Sequence, residues 1–584
     1  MTVKVEEIDQ IPMIAHMIKN MRVDILIDKI WPVHGNHQGL THGQLAILFI
    51  IYVIHMLNHR FSYMEEWVIK HKTVLEEVTG WKIGDKDATD DRICALVGRL
   101  GGDDAKLMEF QRSHGQHIIS AYELPTGCAR YDTTSVNVHH STENNGKGIL
   151  NFGHSKDNRP DLLQFKQGLG TLDPAGVPLL TETMAGNCAD DTRYVPVWRE
   201  MSRTIGHTEF LYVADCKAAS LENRAVIDQE NGFYLFPLPM TGTVPEELKR
   251  HIPTSQYEAE EIRLLANTGG DGGENKSYKD EKNNIIGKGF SVKEEISYKK
   301  GDKSHTWEER RLIIRSDAYA DSQIRSLENR LKKAGEALDR IKAKKDETAE
   351  QFRLRADRII SQYSVSGCIG IEIKETETCQ KKYLKRGRPG ADTPCETVTH
   401  KKIELDFQYV SKVIEEKKML AGWRIYVTNM PEEKLSLQES VRYYRDEWTV
   451  ERGMHRFKRG SLPVLPLFLR IPERIKGLML LLTIALQILT LMEFVIRREM
   501  ASCNETLSGL VPGNPKMKTA RPTAERIIAQ FKGLHCIIEE KGGIVTGYIV
   551  EKLTPLQERI LTLLKIPRDI YNINFSYHLL QEVT

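Results

Sequence analysis

At 584 residues the chain is several times the usual domain size of roughly 100 to 150, so three or four domains around at least one large core are expected and a small stapled scaffold is excluded. Its 82 Lys plus Arg nearly balance 80 Asp plus Glu, and a net charge of +2 confines any electrostatic footprint for nucleic acid to local patches. Nine cysteines, none in a C-x-x-C pair, argue against a disulfide framework or a zinc ribbon and fit reduced, cytosolic thiols.

Residues 1–120 read as a helical domain. The N-terminus lacks the apolar core of a secretory signal. "THGQLAILFIIYVIHML" starts on a plausible Thr41 N-cap, and "TDDRICALVGRLGG" ends a second helix on glycines. From 127 to 240 the texture changes to strand-like runs, "ARYDTTSVNVHH", "GVPLLTETMAG", "EFLYVADCKAAS" and "GFYLFPLP", with the helical "LENRAVIDQE" among them. Residues 241–421 break into charged, glycine-containing stretches beside β-type runs and read as an insertion. Within it, Ile324, Leu327, Leu331, Ala334, Leu338 and Ile341 follow a 3,4 spacing that predicts a helical hairpin arm or short coiled coil. The core resumes over 422–500 with the strand "GWRIYVTN" and a helix opened by the Ser436/Glu439 capping box. In that segment residues 477–496 are long enough to span a bilayer, but Thr483, Gln487, Thr490 and Glu493 recur along them, which favours a buried core helix over a membrane span. Residues 501–584 form the remaining C-terminal region.

The stretch "YYRDEWTVERGMHRFKRG", 443–460, reads as one helix. At 100° per residue it places Tyr444, Glu451 and Lys458 on one face, with Trp448 and His455 close by and Arg445, Arg452 and Arg459 in a second stripe. On a generic helix Glu451 would simply pair with these arginines. Asp132 lies within a strand, however, and Asp215 ends another just before a helix, where α/β sheets commonly place ligand-binding groups. Three carboxylates from two strands and a helix could hold two Mg²⁺, which prefer hard oxygen donors and clamp both oxygens of an in-line phosphoryl displacement. The basic stripe would then hold a phosphate backbone.

"YDTTSV", "VADCKAAS" and "YYRDEWTVERGMHRFK" resemble the D, D and E blocks of bacterial insertion-sequence transposases, in the group with a Y-x2-R-x3-E-x6-K signature and a large insertion before the glutamate. "GHSKDNRPDLLQF", "GNCADDT" and "RIKGLMLLLTIAL" look like the same group, so the resemblance covers most of the chain. It implies an α/β ribonuclease-H-like core interrupted by a β-rich insertion with a helical arm, an all-helical N-terminal domain, and a helical C-terminal region, with either the N-terminal domain or the insertion open as the reader of DNA ends. It further implies that Asp132, Asp215 and Glu451 are catalytic and ligate two Mg²⁺ ions, for which Mn²⁺ could substitute. Activated water would nick each end of the element, and the freed 3′-hydroxyl would attack a second phosphodiester. The implied partners are terminal inverted repeats and target DNA, bound by a homodimer in a cytoplasmic, nucleoid-associated setting with no membrane. Tyr444 and Lys458 would contact phosphates near the cut. Glu447 stands where the signature has arginine, which leaves that contact open; Arg445 could replace it in part.

Weaker signals surround this set. "KRGRPG", 385–390, resembles the Arg-Gly-Arg-Pro core of an A·T-hook, whose Arg386 and Arg388 would enter a minor groove, though it also reads as a basic loop. Lys156 and Arg159, with His154, form a cationic loop that could approach DNA or be a surface turn. Trp448 could stack on a displaced base or anchor the core. His34 with His37, and His114 with His117, have H-x-x-H spacing without further metal-ligand signals. The alternative from another class is a catalytically inactive, transposon-derived DNA-binding protein.

Overall fold

The computed structural model describes residues 2–144, 146, 148–263, 285–344, 347–383, 395–541 and 544–572. Its first element is a strand, β1 (Thr2–Glu7), which pairs antiparallel with His535–Lys541, Val5 lying opposite Ile537. A second strand, Ile544–Val550, completes this small sheet. The chain's two ends are therefore knitted together, which corrects the expectation of an all-helical N-terminal domain and a helical C-terminal region. The alternation of "TVKVEE" is the strand period, too short a signal to read alone.

Helices follow at Ile11–Asn20, Val23–Ile30, His42–Met56, Asp90–Gly101 and Asp104–Tyr122, among others. Thr41 caps its helix as expected, in a reciprocal box with Gln44 that satisfies two otherwise orphaned backbone donors.

The central sheet has nine strands. In chain order these are β2 (Cys128–Val138), β3 (Leu163–Leu172), β4 (Val177–Ala185), β5 (Leu211–Ala214), β6 (Phe233–Pro237), β7 (Glu260–Arg263), β8 (Ile285–Lys300) and β9 (Lys303–Arg315). After the β10 (Ile369–Tyr383) and β11 (Cys395–Tyr409) hairpin, β12 (Trp423–Thr428) completes the set. The spatial order is β4-β3-β2-β5-β6-β12-β9-β8-β7; β2/β5 and β5/β6 are parallel, and the other pairs antiparallel. The region expected as one insertion, 241–421, thus divides. Its first part supplies β7, β8 and β9 to the same sheet.

The remainder is an arm. Helices Asp317–Arg340 and Ala349–Gln362 lie side by side, and Leu327, Leu331, Ala334 and Leu338 pack with Ala356, Ile360 and the β10–β11 hairpin in a small core of their own. This is the helical hairpin that the 3,4 spacing predicts. It leaves from the end of β9 and returns to the start of β12, where Ser316 N donates to Gly422 O at 3.1 Å.

A 31-residue helix, Pro472–Ser502, runs through the molecule with every residue from Gly477 to Ile496 buried. The polar residues of that buried stretch are used: Thr483 Oγ1 donates to Met479 O and Gln487 Nε2 to Pro178 O, both at 2.7 Å, and Thr490 Oγ1 to Leu486 O at 2.9 Å. Glu493 binds arginines, so the buried-core reading of this segment holds and the apolar run faces protein. The helix crosses Asp90–Gly101 at two glycines. A Cβ on Gly477 would overlap the Val97 carbonyl and one on Gly101 the Glu473 carbonyl, so only glycine lets the backbones meet.

Candidate active site

The sheet register brings the two aspartates together. β2 and β5 are parallel with Tyr131 beside Ala214, so Asp132 and Asp215, each one residue further, stand at the same level of neighbouring chains. Parallel neighbours run about 4.8 Å apart, and the two-residue alternation of side chains puts both carboxylates on one face. Burial raises the Asp132 carboxyl, and the Asp215 charge raises it further; the Lys156 ammonium at 3.4 Å and the Thr133 N–H at 2.6 Å oppose this. Asp215 closes β5 and caps the turn Cys216–Ala219, accepting from Lys217 N at 3.1 Å and from the Tyr194 hydroxyl.

The expected single helix over 443–460 is two. Leu437–Arg445 begins at the Ser436/Glu439 capping box and ends at Asp446; Trp448–Lys458 begins after Glu447. Across the break the chain tightens into i→i−3 bonds, Glu447 N to Tyr444 O at 3.2 Å and Thr449 N to Asp446 O at 3.0 Å. The shared face of Tyr444, Glu451 and Lys458 is thereby broken. Tyr444 stays on the first helix with its ring 4.6 Å from that of Tyr426, and burial raises its phenol's pKa.

The second helix lies across β2 and β3 and presents Glu451, exposed, from its first turn. Glu447, half-buried at its start, joins the same group. Burial pushes its carboxyl up to about 7, the Asp132 and Glu451 charges and then Asp215 add to the rise, and Arg130 opposes it. Four carboxylates therefore share one field. In the sequence Glu447 stands out only as a departure from a signature, although its i,i+4 spacing to Glu451 on one helix is a visible signal.

The expected DNA-contacting residues separate by environment. Arg452 does not stand beside Arg445 and Arg459 as a free stripe. Its guanidinium donates to Glu493 at 2.7 and 2.9 Å, in a buried network where Arg456 also binds Glu493 (2.6 Å) and Glu525 (2.8 Å). The reason is that Glu493, buried in the long helix, needs cationic donors. Arg445 and Arg459 are exposed. Lys458 Nζ lies 2.7 Å from Asp157, which draws it to the loop carrying Lys156 and Arg159. Lys156 turns inward to Asp132 and the Thr133 carbonyl, while Arg159 stays outside on Asp161 at 2.7 Å. Trp448 is half-buried, its indole N–H 3.4 Å from Asp446. Arg386 and Arg388 lie outside the described residues.

The donor set at Asp132, Asp215, Glu451 and Glu447 is all carboxylate oxygen, with mutual repulsion that a divalent cation would relieve, so the residues fit a hard metal. Among the described residues, the His/Cys/Asp/Glu group whose ligand atoms all lie within 4.8 Å of one another is a different one, Glu247, His251 and Glu294. Sequence reading passed over its E-x3-H spacing. Arg311 already stands there, 3.4 Å from Glu247 and 3.0 Å from Glu294, and supplies the positive charge. His114 is no ligand: it stacks on Phe110 and bonds Gln487 at 3.0 Å, and burial pushes it down to about 4.

A family model described as Transposase DDE domain matches residues 130–488, an interval that includes Asp132, Asp215, Glu447 and Glu451. A second, described as a domain of unknown function (DUF4277), matches residues 3–106. No curated protein matches the chain.

Proposed function

The chain belongs to the DDE transposase family, whose members act on DNA in transposition and depend on divalent metal, and from that premise we propose a Mg²⁺-dependent transposase of an insertion sequence that binds terminal inverted repeats and catalyses strand cleavage and transfer. The observation that carries the reading is the register that sets Asp132 beside Asp215 on parallel strands, under the helix that bears Glu451. The strand order β4-β3-β2-β5-β6, three antiparallel and then two parallel, supports a ribonuclease-H-like core.

Asp132, Asp215 and Glu451 are assigned as the metal-holding set, and Glu447 adds a fourth negative charge to it. Held by these carboxylates, two Mg²⁺ ions, or Mn²⁺, would supply Lewis-acid polarisation of a phosphoryl group and would lower the pKa of bound water. The chain's own residues position the DNA. Tyr444 and Lys458 are phosphate donors, and Arg445 and Arg459 are exposed cations that hold the backbone. Lys458 would exchange Asp157 for phosphate as DNA arrives. Concerted action on two ends favours a homodimer on DNA.

The test is purified protein on DNA spanning the gene's own flanks, with Mg²⁺ or EDTA. Metal-dependent breaks at the element's ends are expected from wild type and are expected to vanish in Glu451→Gln and Asp132→Asn while end binding persists. Nicking retained in either variant would remove that residue from the metal site. Binding without breaks by wild type would establish instead a DNA-binding remnant without strand transfer.

A further inference from the structure

Beside the carboxylates lies a cavity of about 280 Å³, nearly ten times the roughly 30 Å³ share of a liquid water. Lys156, Lys166 and Lys217 line it, with His154, Asp190 and Asp191. Part of its wall is bare backbone. Gly153 and Gly186 approach so closely that a Cβ on either would overlap a carbonyl oxygen, and buried Gln164 ties the wall by donating to His154 O (3.2 Å) and Gly186 O (2.8 Å).

The cavity lining carries three lysines against two carboxylates, Asp190 and Asp191. Asp190, buried, is shared by Lys166 at 2.8 Å and by Lys217, and the Asp191 charge also acts on Lys217. Lys156 is the link to the site next door, since its ammonium also touches Asp132, and Lys217 lies two residues after Asp215. Two of the lysines that border the cavity, Lys156 and Lys217, are thus tethered to the strands that carry the aspartates. A compact anion with room for its attached sugar matches this shape and charge.

We propose that this cavity is a phosphate subsite that seats a phosphodiester of the DNA strand crossing Asp132 and Asp215, held by Lys156 and Lys217. The assignment rests on the DNA-cleavage reading above and adds to it a specific place for the strand. The same chemistry could be offered by a free nucleotide, and shared tethering of Lys156 and Lys217 to the aspartate strands favours the strand that reaches those aspartates.

The experiment is a chemical double-mutant cycle on the full-length protein in EDTA. DNA ends from the gene's flanks are made with one neutral methylphosphonate at successive positions, and affinity is measured by fluorescence anisotropy for wild type, Lys217→Gln and Ala189→Trp. Ala189 is an exposed residue of the cavity rim, so the tryptophan fills space and leaves the lysines in place. Expected is one position that costs wild type about tenfold, the worth of a charged hydrogen bond, and costs either variant little more. Independent, multiplying losses at every position would overturn the subsite even if wild type cuts its ends with Mg²⁺. A coupled position with no Mg²⁺-dependent cutting would sustain the subsite and overturn the cleavage reading; no DNA binding by wild type would overturn both. Saturation of wild type by a deoxynucleoside 5′-monophosphate, lost in Lys217→Gln while the DNA losses multiply independently, would reassign the cavity to a free nucleotide.

Discussion

Glu447 shows how much a single position can carry. Its carboxyl ordinarily titrates at 4.5 and is pushed up to about 7, by burial first and then by the charges of Asp132, Glu451 and Asp215. The folded chain then keeps a proton that the unfolded chain releases between those values, so metal-free stability falls as pH rises through that window. In EDTA, Glu447→Gln is expected to melt above wild type at pH 8 and level with it below pH 4.5; a difference that does not change with pH would refute the assigned titration. Lys458 makes a different prediction. If it moves from Asp157 to phosphate, Lys458→Ala lowers the salt dependence of DNA binding by about one counterion, and an unchanged slope would count against the contact. Of these residues, Asp132, Asp215, Glu451 and Lys458 were singled out in the sequence by their placement on strands and a helix and by the resemblance to a family signature. The inward turn of Lys156 and the joining of Glu447 to the aspartates were not, because each depends on a partner far away in the chain.

At the level of the element, the helix that follows Glu447 is held from behind by a buried ion network. Glu493 is 2% exposed and neutralises Arg452 and Arg456, which anchors the Glu451 helix to the long central helix. Glu493→Gln removes the charge and leaves the arginines in low dielectric, an expected loss of about 3–5 kcal/mol in urea unfolding, since breaking a buried pair costs more than the pair is worth. A loss under about 1 kcal/mol would mean that Glu525 carries the network alone. The long helix itself was readable as a core element from its interleaved threonines, glutamine and glutamate. The break at 446–447 was not, since "YYRDEWTVERGMHRFK" contains no proline or glycine at the kink and its period continues through it.

For the molecule as a whole, the arm is the separable part. It has its own small core, and Arg315 and Trp423, which flank it, are partners on neighbouring strands. Replacing residues 317–421 by a short glycine-serine linker closes a gap that the fold has already brought together, at a modest loop-closure cost. The shortened chain is expected to keep one cooperative melting transition and native far-ultraviolet dichroism in proportion to its length; an unfolded product would show that the arm supports the sheet. Removing β1 should do the reverse, because it would uncover the edge of His535–Lys541 at the seam between the two ends of the chain.

The sequence by itself determined the local structure and the chemistry on offer: the capped helices, the strand runs, the 3,4 stripe of the arm, and three carboxylates in blocks that resemble a transposase. These are legible because hydrophobic period and capping are properties of neighbouring residues. Only the tertiary structure decided that β7, β8 and β9 extend the core sheet, that Val5 pairs with Ile537 across nearly the whole chain, that Arg452 serves Glu493, and that three lysines gather in one cavity beside Asp132. Strand pairing and the compensation of buried charge join residues from tens to hundreds of positions apart, and no local pattern records which partner each will find.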